Sequence, residues 1–204
     1  MNHQVPLIGL MGKKRTGKDT FAAVLVEKHG YERVALADPL REAALALDPI
    51  MGTFPLNANG IVRVREWRLS DVIDELGWEK AKDYVPEVRR TLQRLGTESI
   101  RSLDDQFWIR TAFARINALR EAGTPVVVTD VRYPNEADAI RDAGGYLARI
   151  VRDLPADGDE HASEKSLDDY HENLRIPNNG SRADFEYMAN SLGIDLNLIY
   201  STMH

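Results

Sequence analysis

The sequence predicts an α/β fold whose central sheet is mainly parallel and is flanked by helices. Three observations predict it. Strand-like apolar runs alternate with helix-like periodic segments along the 204 residues. The run Pro125–Asp130 is apolar up to its last two residues, as in a parallel strand that is buried on both faces. An apolar run over residues 7–11 leads through a loop bounded by glycines directly into a helical pattern.

Apolar spacing and turn residues define the elements of the first half of the chain. A strand ends before Gly12, and the helix after the loop ends at Gly30, a residue type that commonly ends helices. Asp38-Pro39 begins a further helix, with Asp38 as its N-cap. The remaining predictions are a short strand over 32–36, a loop or small hairpin over 48–62 and a loosely helical segment over 63–83.

The second half continues the same alternation. Pro86 opens a helix that Gly96 breaks, and Asp104 or Asp105 caps the next helix, which runs to Gly123. The other predicted elements are a helix over 134–143, a strand over 146–151, a polar and mobile segment over 153–163, a strand-like run over 174–176 and a helical region over 181–201.

Length and composition predict one domain and narrow the functional classes. The absence of cysteine excludes disulfides, thiolate metal sites and a cysteine nucleophile. No apolar run is long enough to cross a membrane, and we expect no signal peptide because a strand-like run begins within a few residues of Met1. A net charge of −6 argues against a broad nucleic-acid surface. We therefore expect a cytoplasmic protein that binds neither membranes nor nucleic acid.

The segment Gly12–Thr20 reads GKKRTGKDT, which is a phosphate-binding loop (P-loop) of the form GxxxxGK. Its glycines let successive backbone N–H groups face one anion, and the following helix directs its positive dipole end at the same place. The alternative is a solvated basic loop. We predict that the phosphates of ATP bind Gly12, Lys13, Lys14, Arg15, Thr16, Gly17, Lys18, Asp19 and Thr20.

Asp19 occupies the position where most P-loops carry the Ser or Thr that binds Mg²⁺, and Thr20 follows one place later. Nucleoside monophosphate kinases of the adenylate kinase type manage without that hydroxyl and hold the metal largely through water. The pattern therefore favours a small-molecule kinase over a motor or a switch. We expect Asp19, Thr20 and Asp130 to hold Mg²⁺, mostly through water.

Asp38, Asp130 and Asn178 each follow a predicted strand, and ligands of parallel sheets bind at the carboxyl ends of strands. Asp130 can hold a water of Mg²⁺ near the phosphates, or it can cap the helix that begins at Pro134. Arg132 can bind a phosphate or pair with Asp38. The residues leave both choices open.

Three further groups of residues fit a site for phosphoryl transfer. Arg89 and Arg90 form a basic cluster on the Pro86 helix that suits a dianionic phosphate, unless they are ordinary surface charges. Arg152 precedes the polar segment, which could close as a lid over the transferring phosphoryl group. Asn178, Asn179 and Gly180 form either a plain turn or a cradle for adenine.

Taken together, these segments resemble the bacteriophage deoxynucleoside monophosphate kinases. The resemblance rests on segments that occur in the same order along most of the chain. They are Gly12–Thr20, Ala37–Glu42, Arg89–Glu98, Phe107-Trp108, Asp130–Glu136, His161–Glu164 and Asn178–Ser181. The chain departs most from the family over residues 48–85, which leaves the preferred base open.

The resemblance implies a P-loop kinase core with a lid over about 152–165 and a helical monophosphate-binding region over about 38–104. It implies transfer of a phosphoryl group from ATP with Mg²⁺ to a deoxynucleoside monophosphate (dNMP). The catalytic residues are then Lys18, Arg132 and Arg152. The residues assigned to the dNMP are Asp38, Arg41, Arg89, Arg90, Gln93, Thr97, Arg132 and Glu136.

Other functions remain open at this point. Within enzymes, the alternative is a P-loop kinase of dephospho-coenzyme A or of phosphomevalonate. A P-loop switch is disfavoured because the sequence lacks the Asn-Lys-x-Asp tetrapeptide that reads guanine, and a nucleic-acid-stimulated ATPase because the chain is one acidic domain. The expected partners are small-molecule nucleotides, with a homodimer left open. In a protein of phage origin, the cytoplasm would be that of the host cell.

Overall fold

The computed structural model of the protein describes residues 5–58, 61–153 and 166–202. The chain divides into two compact units, one formed by Met1–Leu36 with Ile109–His204 and the other by Ala37–Trp108. The second unit contains all of the region 38–104 that the sequence assigns to monophosphate binding. Among the helices of the described ranges, none is long and apolar enough to cross a membrane.

The described residues form seven strands and seven α-helices. The strands are β1 (Leu7–Met11), β2 (Glu32–Val34), β3 (Ile50–Ala58), β4 (Ile61–Arg68), β5 (Val126–Val128), β6 (Tyr146–Val151) and β7 (Leu174–Pro177). The helices are α1 (Lys18–His29), α2 (Asp38–Leu47), α3 (Leu69–Tyr84), α4 (Pro86–Gln93), α5 (Phe107–Glu121), α6 (Pro134–Asp142) and α7 (Arg182–Thr202). A π-helix (Arg94–Arg101) follows α4 directly.

The first unit is built on a five-stranded sheet in the order β2-β5-β1-β6-β7, and every neighbouring pair is parallel. Gly9 in the central strand β1 is in register with Val128 of β5 on one side and Leu147 of β6 on the other. The predicted parallel sheet is confirmed. Its carboxyl edge carries the loops that follow β1, β5, β6 and β7.

Helices cover both faces of this sheet, because its strands alternate their side chains between two apolar layers. Ile8 and Leu10 point to the layer formed with α1 and α7, where the rings of Phe21 and Phe185 lie 5.6 Å apart. Leu7 and Met11 point to the opposite layer, which contains residues of α5 and α6 such as Ile116 and Ile140. Burial on both faces explains why these strands are continuously apolar.

The second unit corrects two sequence predictions. A loop or small hairpin was expected over 48–62 and a loosely helical segment from residue 63, but residues 61–68 form β4, which pairs antiparallel with β3 from Ala58↔Ile61 to Ile50↔Arg68. Helix α3 begins only at Leu69. Asp38 is not an N-cap: Ala37 holds that position, and Asp38 is the first residue of α2. A separate apolar core in this unit includes Ala44, Leu69, Val72, Ala81 and Val88.

Gly96 does not break the helix that begins at Pro86, contrary to the sequence prediction. The helix continues through it as the π-helix. The glycine has a packing role instead, since a Cβ on residue 96 would lie 2.6 Å from a methyl carbon of Leu40. Its carbonyl oxygen also accepts a hydrogen bond of 3.1 Å from the indole nitrogen of Trp108.

Candidate functional site

The P-loop connects the carboxyl end of β1 to the first turn of α1, as the sequence predicts. Three of its residues have the positive φ values that let the chain fold back on itself: Gly12 (φ 135°), Arg15 (φ 65°) and Gly17 (φ 106°). Gly17 is also the N-cap residue of α1 and offers no side chain for capping. The first N–H groups of α1 therefore face the same loop, where an anion can accept them.

Side chains inside the loop hold its shape. The Lys18 ammonium group donates to the carbonyl oxygens of Gly12 at 2.7 Å and Lys13 at 2.8 Å. The buried hydroxyl of Thr16 donates to the same Lys13 oxygen at 2.9 Å. Lys13, Lys14 and Arg15 are exposed at the surface of the loop. The loop thus combines exposed cations with a backbone whose shape is fixed by its own side chains.

Asp19 and Thr20 lie in the first turn of α1, where Asp19 is exposed and Thr20 is half-buried. Both line a groove whose other side is formed by α7, including Arg182 and Glu186. Among the described residues, no group of three or more His, Cys, Asp or Glu side chains is arranged to hold a metal ion. Asp19 and Thr20 offer oxygen atoms, the donor type that Mg²⁺ prefers.

Asp130 follows β5, and its carboxylate is tied to the neighbouring strand. Its Oδ1 accepts a 2.7 Å hydrogen bond from the backbone N–H of Leu36, just beyond β2. Asp130 does not cap α6, which was the alternative at the sequence level. The N-cap of α6 is Tyr133, and the carboxylate that closes this turn belongs to Glu136.

Arg132 and Glu136 belong to one turn at the start of α6. Oε2 of Glu136 accepts from the backbone N–H of Arg132 at 2.7 Å and from that of Tyr133 at 3.1 Å. Glu136 is buried, whereas the Arg132 side chain is exposed. Glu136 therefore makes the contacts of a capping residue, and these contacts fix the backbone from which Arg132 projects. Binding of the dNMP by Arg132 or Glu136 stays a prediction.

The turn after β7 contacts the P-loop. The side-chain amide of Asn178 is buried and donates to the carbonyl oxygen of Thr16 at 2.8 Å. Asn179 is exposed and exchanges two hydrogen bonds with Asp153, one to its carboxylate at 2.7 Å and one from its backbone N–H at 2.8 Å. Sequence analysis placed this turn at the site but missed the bond to Thr16, because no local pattern indicates a contact over 162 residues.

Arg152 is exposed directly after β6, beside Asp153. The rest of the predicted lid, including His161–Glu164, lies outside the described residues.

Arg149, three residues before Arg152, has a structural role that the sequence did not reveal. It is buried, pairs with Glu172 at 3.0 Å, and donates to the carbonyl oxygens of Leu167 and Tyr170, both at 2.7 Å. Burial alone would raise the pKa of Glu172, but hydrogen bonds and positive charge from Arg175 and Arg149 outweigh it and keep that pKa below its ordinary value. These bonds fix the segment before β7 against the sheet.

The second unit holds the other predicted dNMP residues. Arg89 and Arg90 project from the exposed side of α4 and pair with Asp83 at 3.3 Å and Glu87 at 2.9 Å. Gln93 and Thr97 are exposed further along α4 and the π-helix.

On α2, Arg41 lies 3.5 Å from both Asp38 and Glu79. Its guanidinium also covers the Trp78 ring at 5.6 Å from the centroid. The cation–π contact joins α2 to α3. Asp38 and Arg41, two predicted dNMP residues, lie side by side because they are one turn apart on α2.

The family model for deoxynucleotide monophosphate kinases matches residues 57–188 of this chain, beginning after the P-loop. A protein of Acanthamoeba polyphaga mimivirus with the provisional name deoxynucleotide monophosphate kinase is 31% identical over 166 residues, covering 79% of this chain and 81% of the relative. The deoxynucleotide monophosphate kinase of Enterobacteria phage T4 is 26% identical, covering 92% of this chain and 99% of the relative.

Among solved structures, a dephospho-CoA kinase from Campylobacter jejuni superposes with a TM-score of 0.50 at 14% identity, covering 95% of this chain and 98% of that one. At this identity the likeness concerns the fold alone. It agrees with the parallel sheet and the strand–loop–helix position of the P-loop.

Proposed function

The chain belongs to the deoxynucleotide monophosphate kinase family, and we propose that it transfers the γ-phosphoryl group of ATP to a deoxynucleoside monophosphate. The products are ADP and a deoxynucleoside diphosphate. The observation that carries this proposal is the P-loop at the carboxyl edge of a parallel sheet, in a chain that matches this family over most of its length.

The P-loop binds the donor. Backbone N–H groups of residues 12–18 surround the β- and γ-phosphates, and the exposed Lys13, Lys14 and Arg15 add positive charge. Lys18 exchanges its bonds to the Gly12 and Lys13 carbonyl oxygens for the phosphates. The turn at Asn179 and Gly180, exposed after β7, contacts the adenine.

The acceptor monophosphate is bound by Arg89 and Arg90. Each is more than half exposed and pairs with a carboxylate of a nearby residue, so each can exchange that partner for a dianionic phosphate. The helix α4 that carries both arginines is anchored in the core of its unit, because the neighbouring Val88 is fully buried. The remaining proposed acceptor residues are Asp38, Arg41, Gln93, Thr97, Arg132 and Glu136, the last by fixing the turn that carries Arg132.

Phosphoryl transfer requires alignment and charge neutralisation more than covalent chemistry. The attacking phosphate oxygen of the dNMP is already ionised at pH 7, so no general base is needed. Lys18, Arg132 and Arg152 supply positive charge to the transferring group, which carries its charge on three equatorial oxygens. This assignment accounts for a site that is rich in cations and uses no nucleophilic side chain.

The residues assigned to Mg²⁺ fit a hard cation bound mostly through water, since Asp19, Thr20 and Asp130 offer only oxygen donors. When bound with ATP, Mg²⁺ neutralises charge on the β- and γ-phosphates. Asp130 is held in place for such a role by its bond to Leu36. A homodimer and a cytoplasmic location remain predictions.

A coupled assay of ADP release tests the proposed reaction. The purified protein is given ATP with each of dAMP, dGMP, dCMP and dTMP, with their ribonucleotide forms, and with dephospho-coenzyme A or phosphomevalonate. We expect ADP release with at least one dNMP and almost none without an acceptor. Turnover only with dephospho-coenzyme A or phosphomevalonate would assign a different small-molecule kinase, and rapid ATP hydrolysis without any acceptor would indicate an ATPase.

A further inference from the structure

Asn178 connects the end of the sheet to the P-loop through one buried hydrogen bond. Its Nδ2 donates to the carbonyl oxygen of Thr16 at 2.8 Å, and Asn178 and Thr16 are 9% and 2% exposed. We propose that Asn178 is a positioning residue that orients the P-loop for the phosphates of the donor, without contacting ATP through its side chain. The inference rests on the proposed function in one respect, namely that the P-loop binds these phosphates.

The planarity of the peptide bond explains how a side chain outside the loop can orient a group inside it. The Thr16 carbonyl and the Gly17 N–H belong to the same peptide unit, and in a trans peptide they point in opposite directions. Because Asn178 holds the carbonyl oxygen from one side, the Gly17 N–H is directed to the other side. Loss of the bond would let this peptide unit rotate, since the φ of Gly17 is barely restricted by sterics.

The contact between Asn178 and the loop is close. A Cβ on Gly17 would lie 2.5 Å from Nδ2 of Asn178 and 3.0 Å from the ring of Phe185. A glycine is thus required at residue 17 both by its φ of 106° and by the asparagine beside it. The opposite side of Thr16 is held within the loop, where its hydroxyl donates to the Lys13 carbonyl oxygen at 2.9 Å.

Asn178 is itself fixed from two directions. Its backbone N–H donates to the Val151 carbonyl oxygen at 2.7 Å, which extends the pairing of β6 with β7 by one residue. The next residue, Asn179, is joined to Asp153 by two reciprocal hydrogen bonds. The backbone of Asn178 is held by the sheet, and its side-chain amide bonds to the P-loop. The position of β7 therefore determines the orientation of the Thr16–Gly17 peptide.

A direct contact of the Asn178 amide with adenine is the competing role, because the sequence places this residue in the turn expected to cradle the base. The two roles differ in which part of ATP they affect. A positioning residue orients the loop that binds the phosphates, so its removal weakens binding of any polyphosphate. A residue that contacts adenine leaves binding of a polyphosphate without a base unchanged.

Calorimetric titration of folded Asn178→Ala and Asn178→Leu with ATP and with inorganic tripolyphosphate, both with Mg²⁺, distinguishes these roles. Asn178→Leu keeps most of the side-chain volume and removes the donor. We expect the Kd of both ligands to rise roughly 5- to 50-fold, as for loss of one buried hydrogen bond that orients a binding group, and the Kd of the dNMP to change less than about twofold.

Asn173→Ala is the matched control at the other end of β7. Asn173 also bonds the backbone through its side chain, accepting from the N–H of Leu147 at 2.9 Å, at the end of β7 that leads away from the P-loop. We expect it to lower the melting temperature without changing the Kd of either phosphate ligand.

Three results would overturn the inference. They are unchanged Kd values in a folded Asn178 variant, a loss confined to ATP, or equal losses for tripolyphosphate and the dNMP. Failure of the wild-type protein to bind ATP would instead count against the proposed function.

If both Asn178 variants are too unstable to titrate, hydrogen exchange of the Gly17 amide in Asn178→Ser, compared with Asn173→Ala, replaces the titration. Equal protection of Gly17 in the two would also overturn the inference.

Discussion

Gly12 runs so close to the carbonyl oxygen of Ile150 that a Cβ on residue 12 would overlap this oxygen. Ile150 lies in β6, so the first residue of the P-loop is packed against the strand beside β1. The φ of Gly12, 135°, is also one that other residues rarely adopt. Two independent constraints therefore require glycine at this position.

Gly12→Ala is expected to displace the loop and reduce kcat/KM by roughly 100-fold, the effect of a misplacement of about 1 Å. Steady-state kinetics of the folded variant measures this. Gly30→Ala is the control, since Gly30 also has a positive φ, 68°, but no atom lies within 4 Å of its Cβ position. It should cost about 1 kcal/mol of stability and leave kcat/KM within twofold. Equal activity of the two variants would contradict the assignment of the P-loop.

Lys18→Ala is expected to lower kcat by roughly 10²- to 10³-fold, because its cation meets charge that develops on the transferring group. Its bonds to the carbonyl oxygens of Gly12 and Lys13 are partly exposed, so the melting temperature should stay close to that of the wild type. Lys28→Ala, in the last turn of the same helix, serves as the control and should retain kcat. Near-normal kcat in folded Lys18→Ala would exclude the P-loop as the catalytic site.

Local patterns were sufficient to predict the P-loop and the strand that leads into it. Residues 7–11 are apolar on both faces, and the glycines at 12 and 17 lie where positive φ values occur. Each of these features depends on a few neighbouring residues. The parallel sheet followed from the alternation of such strands with helices, because parallel neighbours need a long crossover connection.

The small hairpin expected over 48–62 extends further than predicted, and most of β4 was missed although the sequence carries a signal for it. Asn59-Gly60 stands between the paired residues Ala58 and Ile61, and Asn-Gly is a strong hairpin signal. Residues 63–68, including Trp67, were assigned to a loosely helical segment instead. Gly96 was wrongly assigned as a helix breaker for a different reason, because its contact with Leu40 belongs to tertiary packing and no local pattern reports it.

The bonds of Asn178 to Thr16 and of Arg149 to Glu172 could not be predicted from the sequence. Each joins residues that are distant along the chain or separated by a segment without a regular pattern. Asn178 was assigned to either a plain turn or a cradle for adenine, and no role was assigned to Arg149. Only the register of β6 with β7 brings Asn178 to the P-loop.

Arg89→Ala and Arg90→Ala should each weaken dNMP binding more than ATP binding. A lost charge-assisted hydrogen bond costs roughly 1.5–3 kcal/mol, or about 10- to 150-fold in Kd. Arg115→Ala is a matched control, because Arg115 and Arg89 have the same exposed fraction, 51%, and each pairs with one carboxylate on the surface. Separate titrations with a dNMP and an ATP analogue measure the effect. A loss confined to the ATP analogue would move these arginines to the donor site.

Glu172→Gln should destabilise the protein at pH 7 by about 2 kcal/mol, since it removes the charge that faces the buried Arg149. The pKa of Glu172 is lower in the folded protein than in the unfolded chain, so its charge stabilises the fold above the unfolded value of about 4.3. This contribution is lost as the pH falls and the carboxyl group is protonated. The difference between wild type and variant should therefore shrink below about pH 4.

Urea unfolding of both proteins between pH 7 and pH 3 measures this difference, with Glu186→Gln as the control. Glu186 pairs with Arg182 at 2.6 Å, but the Arg182 side chain is 84% exposed, so water screens the pair. The control should change stability by less than about 0.5 kcal/mol at any pH. A deficit of Glu172→Gln that stays constant across this range would show that the negative charge of Glu172 does not stabilise the fold, and that Arg149 is held by its bonds to the Leu167 and Tyr170 carbonyl oxygens alone.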